Sequence, residues 1–390
     1  MRPQRAKIQW QMRESDGAIF EEMTTNRRRF LFSSLGAAAC GRRRATGFPG
    51  YAFVANAGKQ SVAAVDLTEF AVTRQIGLDG VPAGVTASQG RRTVYVMIPQ
   101  DARIVEIDAG ALTVKRKLSL KGVALATRLS ADGEALWVLC RSPHALVQLD
   151  LERFEPRMRV KLPAAPADFD LSSDGRAAAV VFTDEKSAGL IDLANSGAAR
   201  FFSAGEDPRA VRFRLDGKLV LVGNRSERRL TVLDAKSGAT MVRLPLAVEP
   251  ENFCTKADGG EMYITGKGMD AVVVVYPYRT EVAETRLAGR APGTMAISRS
   301  PEYLFAANPE TGDVTVLEVE TGDMLSAVKV GQQPCCITFT PDDQYALVVN
   351  HGSGDLAVIR IAAVRSGRNK TAPLFTMIPV GTAPVSAVVV

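Results

Sequence analysis

Histidine and cysteine are the residues best suited to metal binding or nucleophilic catalysis, and both are scarce in this chain. The histidines, and the cysteines beyond residue 44, are His144, His351, Cys140, Cys254, Cys335 and Cys336. No Cys/His group has the spacing of a zinc site, and no histidine pair is placed to ligate a haem from both sides. Cys335, Cys336 and His351 could together bind a soft metal, but the sequence favours neither a metal site nor a cofactor.

Nucleophilic catalysis has no recognisable signature either. A Ser-His-Asp arrangement stays open, but no nucleophile lies in an identifiable strained turn, so no catalytic residue is assigned. Four cysteines in a chain of 390 residues do not form a disulfide scaffold. A vicinal disulfide between Cys335 and Cys336 is conceivable, but we predict that the two side chains point to opposite faces of one strand.

A mixed-charge group of polar residues is the strongest candidate for a binding site. It comprises Asp168, Arg209, Glu251, Asn252 and Cys336, to which we add His351. The first five lie at the start of equivalent apolar segments, and we predict that they converge on one opening, where a ligand with carboxylate and hydroxyl groups would fit. The alternative is that these groups neutralise one another in ion pairs around a water-filled channel.

The segments that position these residues recur with a period of 42. The repeat is marked by Asp66, Asp108, Asp150, Asp192, Asp234, Tyr276, Glu318 and Arg360, and the first and last are seven periods apart, giving eight copies. Each copy holds four short runs rich in aliphatic and β-branched residues, separated by turn residues such as Asp216-Gly217. A four-stranded unit at this period predicts an all-β β-propeller with antiparallel blades. Eight blades are favoured, and seven are the alternative.

Alternation within the first run of each copy predicts two faces. Phe169, Val211 and Phe213 belong to an apolar set that should pack between blades, whereas Arg128, Asp170 and Arg212 belong to a polar set that should face the central channel. The loops on one face of the predicted ring are longer than the Asp-Gly turns on the other, so we expect function on the longer-loop face. Asn56, Asn224, Asn308 and Asn350 end equivalent runs and are predicted to be left-handed turn residues.

The two ends of the repeat array predict how the ring closes. The first copy begins at Tyr51 without its first run, and the segment Ala383–Val390 is a first run without the others. We predict that this C-terminal segment pairs with the N-terminal blade, which would remove two exposed sheet edges. The last copy carries about eight extra residues around 365–370, which predict a longer outer hairpin.

The repeat resembles a known family. The pattern Pro…Asp-Gly…Tyr-Val-x-Asn…Val-x-Val-Ile-Asp is similar to the YVTN repeat of bacterial and archaeal β-propellers, and it appears as Phe53–Asn56, Leu221–Asn224, Phe305–Asn308 and Leu347–Asn350. The resemblance covers residues 51–390. It implies a propeller fold in a family that includes surface-layer and periplasmic proteins without assigned chemistry. Seven blades are more usual in such relatives.

The N-terminal region is predicted to be an export signal. Residues 1–44 hold ten Arg/Lys and four Asp/Glu, and Arg27-Arg28 with Phe30-Leu31 resembles the twin-arginine signal. An ordinary signal for export in the unfolded state is the alternative. Met23 is predicted as the true start, with cleavage near Cys40, which is also a candidate lipid anchor. The apolar stretch is too short to span a bilayer, so no transmembrane span is predicted.

The charge and the fold together lead to three functional hypotheses. Residues 45–390, predicted to form a single propeller domain, hold 38 Arg/Lys and 38 Asp/Glu, which disfavours nucleic-acid binding. We favour an exported, periplasmic or envelope-associated module that binds a small molecule or a protein through its loop face, and we favour binding over catalysis. The alternatives are a propeller-type lactonase or other hydrolase, and an accessory protein of a periplasmic redox system.

Overall fold

The repeated units fold into eight four-stranded antiparallel sheets arranged as the blades of a β-propeller. The structure is a computed structural model, and it describes residues 47–195, 197–365 and 372–390. The predicted fold class and the count of eight blades are confirmed. The predicted export signal, with Met23 and Cys40, lies outside the described residues, as does most of the extra segment around 365–370.

Each blade takes its strands in chain order from the channel outwards, except that blade 1 receives its inner strand from the C-terminus. Blades 1 to 4 are β1 (Tyr51–Asn56), β2 (Ser61–Asp66), β3 (Ala71–Gly77) with β32 (Pro384–Val389); β4 (Gly84–Ser88), β5 (Thr93–Ile98), β6 (Arg103–Asp108), β7 (Thr113–Ser119); β8 (Val123–Leu129), β9 (Ala135–Ser142), β10 (Ala145–Asp150), β11 (Glu155–Lys161); and β12 (Asp168–Leu171), β13 (Ala177–Phe182), β14 (Ser187–Asp192), β15 (Ala198–Ser203).

Blades 5 to 8 are β16 (Pro208–Phe213), β17 (Leu219–Asn224), β18 (Arg229–Asp234), β19 (Thr240–Pro245); β20 (Asn252–Thr255), β21 (Met262–Thr265), β22 (Ala271–Tyr276), β23 (Glu281–Leu287); β24 (Met295–Ile297), β25 (Tyr303–Asn308), β26 (Asp313–Glu318), β27 (Met324–Lys329); and β28 (Pro334–Phe339), β29 (Tyr345–Asn350), β30 (Asp355–Arg360), β31 (Leu374–Pro379). Two short 3₁₀ helices span Gln89–Arg91 and Ile361–Ala363.

The hydrophobic core is divided into layers between neighbouring blades. Among the described residues, eight apolar clusters form, and each joins one blade to the next around the ring. Phe169 lies in the cluster between blades 3 and 4, and Val211 and Phe213 lie in the cluster between blades 4 and 5. The prediction that this apolar set packs between blades is confirmed. Because both faces of each sheet are covered, the two middle strands of a blade are almost wholly apolar.

The aspartates that mark the period shape the turns between the third and fourth strands. Asp108 Oδ1 accepts the backbone N–H groups of Gly110 and Ala111, both at 2.8 Å. Asp150, Asp192 and Asp234 make the same pair of bonds in the next three blades. A carboxylate that accepts two backbone N–H groups closes a tight turn, and these bonds hold the pKa of Asp108 below its usual value.

The strand-ending asparagines are buried structural residues, and the prediction of left-handed turn residues is wrong. Asn56, Asn224, Asn308 and Asn350 are fully buried and end β1, β17, β25 and β29 without a positive φ. Asn308 Nδ2 donates to Asp313 Oδ1 at 2.8 Å and to Thr315 Oγ1 at 2.9 Å. Asn56 Nδ2 bonds across blades to the carbonyl of Val380 at 3.0 Å. Each amide lies under a glycine of the preceding interblade loop.

This close approach leads to a prediction about Gly289, which packs on the Asn308 amide. Its φ is +76°, and a Cβ there would clash with Asn308 Nδ2 and lie 2.7 Å from Thr315 Oγ1. We expect Gly289→Ala to lower the free energy of unfolding by about 3 kcal/mol, combining left-handed strain with a displaced buried amide. Gly175→Ala is the control, because its φ is +68° but nothing lies within 4 Å of the new Cβ. It should cost only about 1 kcal/mol. Equal losses in denaturant titrations would contradict the packing argument.

The ring closes through the C-terminal strand, as predicted. β32 pairs with β1 in antiparallel register, with Val388 opposite Phe53 and Ala387 opposite Val54. Tyr51 and Val390 exchange two backbone hydrogen bonds of 2.9 Å. β32 also separates two core layers, since Val389 is buried in the cluster between blades 8 and 1 and Val388 packs on the cluster between blades 1 and 2.

Candidate functional site

The inner strands β4, β8, β12, β16, β20, β24, β28 and β32 surround the central channel. We call the side where these strands begin the loop face, because it carries the loops between second and third strands and those between blades. The opposite side, with the tight turns between first and second and between third and fourth strands, is the turn face. All six predicted site residues belong to the loop-face half of their blades. Asp168, Arg209, Glu251 and Cys336 come from blades 4, 5, 6 and 8, so they are spread over half the ring.

The approach to the inner strands is similar in four blades. Asp207, Ala291, Gln333 and Ala383 each precede a proline and each have φ near +50°. A positive φ before proline is an uncommon conformation, because the proline ring restricts the residue ahead of it. In β16 and β28 the next step is a bulge, which leaves Arg209 and Cys335 outside the regular pairing. These bulges therefore set the position of side chains at the channel mouth, the opening of the channel on the loop face.

Asp168 is engaged in ion pairs inside the channel. Its Oδ2 accepts from Arg212 Nη1 at 2.7 Å and from the backbone N–H of Val211 at 3.1 Å. Its Oδ1 lies 3.7 Å from Arg128 Nη2. Three neighbouring inner strands therefore contribute to one charged group, and the carboxylate predicted to meet a ligand already has partners within the protein. For Asp168, the structure agrees with the alternative hypothesis, in which the polar groups neutralise one another in ion pairs around the channel.

Asp170 extends the same cluster along β12. It lies 3.4 Å from Arg128 Nε and accepts the backbone N–H of Phe213 at 2.8 Å. Burial raises the pKa of Asp170 and lowers that of Arg128, on which Arg212 acts in the same direction. Arg128, Asp168, Asp170 and Arg212 form two cations and two anions, which we call the channel ion cluster. The sequence placed them on the channel wall but could not show that they satisfy one another.

Arg209 pairs with its own segment instead of the channel ion cluster. Its Nε lies 2.6 Å from Asp207 Oδ1, while Arg225 Nε lies 3.2 Å from Asp207 Oδ2. The Arg209 side chain remains 44% exposed. A guanidinium held by one carboxylate and open on its other side can still receive a ligand anion.

Glu251 lies in a cavity on the loop face between blades 6 and 7. The cavity has a volume of about 580 Å³ and is lined by Glu251, Lys267, Met269, Asp270 and Glu310, with glycines and prolines between them. Asp270 Oδ1 accepts the N–H of Ala291 at 2.8 Å, and Glu310 pairs with Arg290 at 3.3 Å. Among the described residues, Glu251 and Lys267 have no ion-pair partner. Asn252, the next residue, begins β20 and is half-buried.

Cys335 and His351 meet between blades 8 and 1. His351 Nδ1 lies 3.0 Å from the carbonyl oxygen of Pro384, and Cys335 Sγ lies 3.6 Å from the same oxygen. Burial raises the pKa of Cys335 to about 12 and also raises that of Cys336. Thiols with such pKa values are poor nucleophiles at neutral pH. The Cys336 thiol lies against Ser386 of the neighbouring inner strand.

The two cysteines of β28 lie on the same side of the blade, and the two histidines lie far apart. The bulge at Cys335 breaks the strand alternation, and both thiols pack against the apolar cluster between blades 8 and 1, so the prediction of opposite faces is wrong. His144 and His351 lie on blades 3 and 8 and are not brought together.

Within residues 47–195, 197–365 and 372–390, no three His, Cys, Asp or Glu side chains are grouped to hold a metal ion. In the same ranges, no helix has the length and apolar character needed to span a bilayer.

Comparison with known proteins establishes the fold. No protein-family model matches the chain, so the YVTN resemblance remains a prediction, and no curated protein sequence matches it either. Dihydro-heme d1 dehydrogenase NirN, solved in complex with DHE, has a similar structure, with a TM-score of 0.69 and 16% identity over 87% of this chain and 75% of that chain. Hydrazine synthase of Kuenenia stuttgartiensis matches with a TM-score of 0.57 and 18% identity over 72% of this chain and 96% of that chain.

A third solved structure is similar over most of both chains. It is a functionally unknown protein from Desulfotomaculum acetoxidans, with a TM-score of 0.57 and 10% identity over 87% of this chain and 98% of that chain. Identities this low carry no correspondence between site residues. The chain is therefore an eight-bladed β-propeller, and its function must be argued from its own side chains.

Proposed function

We propose that this protein is an exported β-propeller that binds a small polar ligand on its loop face, at the channel mouth and in the neighbouring cavity. The observation that carries the proposal is the pairing state of the side chains there. The channel ion cluster is internally neutralised, whereas Glu251 and Lys267 line one cavity without an ion-pair partner among the described residues. A free carboxylate and a free ammonium group suit a ligand that carries both an anionic group and hydroxyl or amino groups.

The remaining predicted residues could extend the site towards the channel. Arg209, on the blade before Glu251, keeps part of its guanidinium exposed, and Asn252 continues from Glu251 into β20. Cys336 and His351 lie on blade 8, two blades beyond, and would meet only a ligand that spans the channel mouth. The core of the proposed site is therefore Glu251, Asn252 and Lys267, with Arg209 beside it.

Binding can be tested with a panel of sugar acids, amino acids and lactones in thermal-shift and calorimetric titrations. For a ligand found in this way, we expect Glu251→Gln to weaken affinity about tenfold, because the change removes one charge and keeps the shape. Glu281→Gln is the matched control, since this exposed carboxylate lies on the outer strand of the same blade. Arg209→Ala should weaken binding less. If Glu251→Gln and Arg209→Ala both leave affinity unchanged, the ligand binds elsewhere.

Two alternatives lead to different outcomes of the same panel. A hydrolase would turn over a lactone, although the thiols of Cys254 and Cys335, each with a pKa near 12, are poorly suited to attack. An accessory role in a redox system is supported by the fold shared with NirN and hydrazine synthase. That role would appear as recovery of a protein partner from periplasmic extract without stabilisation by any small molecule.

Export in the folded state is proposed from the N-terminal sequence. Arg27-Arg28, followed by Phe30-Leu31 and Ala37-Ala38-Ala39, supports twin-arginine transport and cleavage near Cys40. We expect Arg27→Lys/Arg28→Lys to leave the precursor in the cytoplasm, as measured by cell fractionation and immunoblotting. Normal export of this variant would remove the twin-arginine proposal and leave ordinary export as the alternative.

A further inference from the structure

A second cleft opens on the turn face, between blades 4 and 5, opposite the proposed ligand site. Its volume is about 780 Å³. Arg176 and Lys218 occupy equivalent positions after the first turns of the two blades. Arg200 lies on the outer strand of blade 4, and Lys236 lies in the outer turn of blade 5. The cleft therefore has cationic side chains along its whole radial length.

These four cations form no salt bridge among the described residues, although each lies in the field of an aspartate: Arg176 in that of Asp174, Arg200 of Asp192, Lys218 of Asp216 and Lys236 of Asp234. All four side chains are exposed. Two aspartates, Asp192 and Asp234, also line the cleft. Asp192 accepts two backbone N–H groups of its own turn and a hydrogen bond from Asn195 Nδ2 at 2.7 Å. Asp234 accepts hydrogen bonds from the backbone N–H and the hydroxyl of Ser237. With four cations and two anions, the cleft carries a net charge of +2 within a propeller that is formally neutral.

The floor of the cleft is apolar. It is formed by Ala177, Leu190, Phe213 and Ala235, which belong to or border the core layer between blades 4 and 5. The aliphatic stems of the arginine and lysine side chains extend this apolar surface towards solvent. A cavity with an apolar floor and a cationic rim complements a molecule with an anionic head and a short apolar body.

The neighbouring cleft, between blades 3 and 4, has a different charge. The equivalent cleft between blades 3 and 4 is lined by Asp132, Glu134, Asp150, Glu152 and Asp174, with Arg157 as its cation. Glu134 stands where blade 4 has Arg176, and it forms an ion pair with Arg91 of blade 2. In the cleft between blades 4 and 5, both residues at this repeat position, Arg176 and Lys218, are cations. An anion in this cleft would be attracted by both side chains.

We propose that the cleft between blades 4 and 5 binds an amphipathic organic anion, a carboxylate or phosphate monoester with a short alkyl or aromatic body. The anionic head lies between Arg176 and Lys218, and the apolar body lies on the floor near Phe213 and Ala235. Fatty acids and alkyl phosphates share this chemistry. The site is separate from the loop face, so a ligand bound here leaves Glu251 accessible.

The test uses isothermal titration calorimetry on the full mature protein with octanoate, octyl phosphate, octanol and inorganic phosphate. We expect both amphipathic anions to bind at least about tenfold more tightly than octanol or inorganic phosphate, because only they use the rim and the floor together. The ratio of octanoate to octyl phosphate affinity tells which head group is preferred. Raising the salt concentration from 50 mM to 500 mM should weaken both, as expected for exposed charges.

Charge reversal locates the site. Arg176→Glu/Lys218→Glu should lower octanoate affinity about tenfold or more. The control Arg153→Glu/Arg157→Glu changes the net charge equally beside the neighbouring cleft and should leave affinity unchanged. Arg176→Lys/Lys218→Arg should retain binding, which guards against a folding defect, and melting curves confirm the folded state of each variant. The proposal is overturned if octanol or inorganic phosphate binds as tightly as octanoate, if no probe binds, or if both double reversals have the same effect.

Discussion

Removing Val385–Val390 is expected to abolish stable folding of the propeller or to lower its melting temperature by many degrees. β32 is the inner strand of blade 1 and pairs with β1 over five residues. Ala387 and Val389 are buried in the layer between blades 8 and 1, and Val388 and Val390 pack on the layer between blades 1 and 2. The lost ladder bonds and apolar burial together amount to more than about 5 kcal/mol, a large part of the stability of a typical domain.

The deletion can be separated from a general loss of solubility. Adding a synthetic peptide of residues 383–390 to the truncated protein should raise its melting temperature, because the peptide restores the missing inner strand. Val389→Ser tests the same layer with one side chain and should cost about 2 kcal/mol. Leu287→Ser is its control, since Leu287 is 75% exposed on an outer strand and contributes little burial. An unchanged melting temperature for the truncated protein would show that β32 does not hold the ring closed.

The sequence predicts the propeller because the features that define it are local and repeated. The 42-residue period, the Asp-Gly turns and the alternation at Phe169, Val211 and Phe213 each follow from residues close together in the chain. Turns and strand faces depend on such near neighbours. Closure by β32 was also predictable, because a first strand without its blade stands at one end of the array and a blade without its first strand at the other.

The asparagines show where this reasoning fails. Asn308 and Asn350 have the residue type of a turn, but their amides are buried under loop glycines from the preceding blade, at Gly289 and Gly331. The contacts that bury these amides join segments about 19 residues apart across a blade interface. The turn preference of a residue type carries no information about such contacts. The sequence signal that was available is the glycine 19 residues ahead of Asn224, Asn308 and Asn350; the glycine that covers Asn56 is Gly381, at the other end of the chain.

The candidate site was predictable only in part, for the same reason. The sequence indicated Asp168 and Glu251 as polar residues at the channel mouth, but their pairing depends on groups from other blades. Arg212 of blade 5 and Arg128 of blade 3 neutralise Asp168. Glu251 instead lines a cavity whose opposite wall comes from blade 7. The cationic cleft on the turn face also depends on two blades meeting, and charge alternation along one strand does not reveal it.

Asp168 is expected to stabilise the fold through its contacts with the neighbouring inner strand. The Asp168 side chain is 18% exposed, accepts hydrogen bonds from Arg212 Nη1 and from the backbone N–H of Val211, and lies 3.7 Å from Arg128 Nη2. We expect Asp168→Ala to lower the free energy of unfolding by about 2–4 kcal/mol, because it removes the carboxylate that pairs with the partly buried Arg212 and the acceptor of the Val211 N–H. The loss is measured by urea titration at neutral pH. A residue that served only to meet a ligand would cost much less.

Two further variants test whether the ion pair of Asp168 with Arg212 accounts for the loss of stability. Glu155→Ala removes an exposed carboxylate that lies 3.8 Å from Arg153 and is 60% exposed, so it should change stability by less than about 1 kcal/mol. In the double variant Asp168→Ala/Arg212→Met, the orphaned guanidinium of Arg212 is also removed. Its loss should therefore be smaller than the sum of the two single losses by about 1 kcal/mol or more, the mark of a direct charge pair. If Asp168→Ala is as mild as Glu155→Ala, the channel ion cluster does not stabilise the fold, and Asp168 again becomes a candidate for ligand binding at the channel mouth.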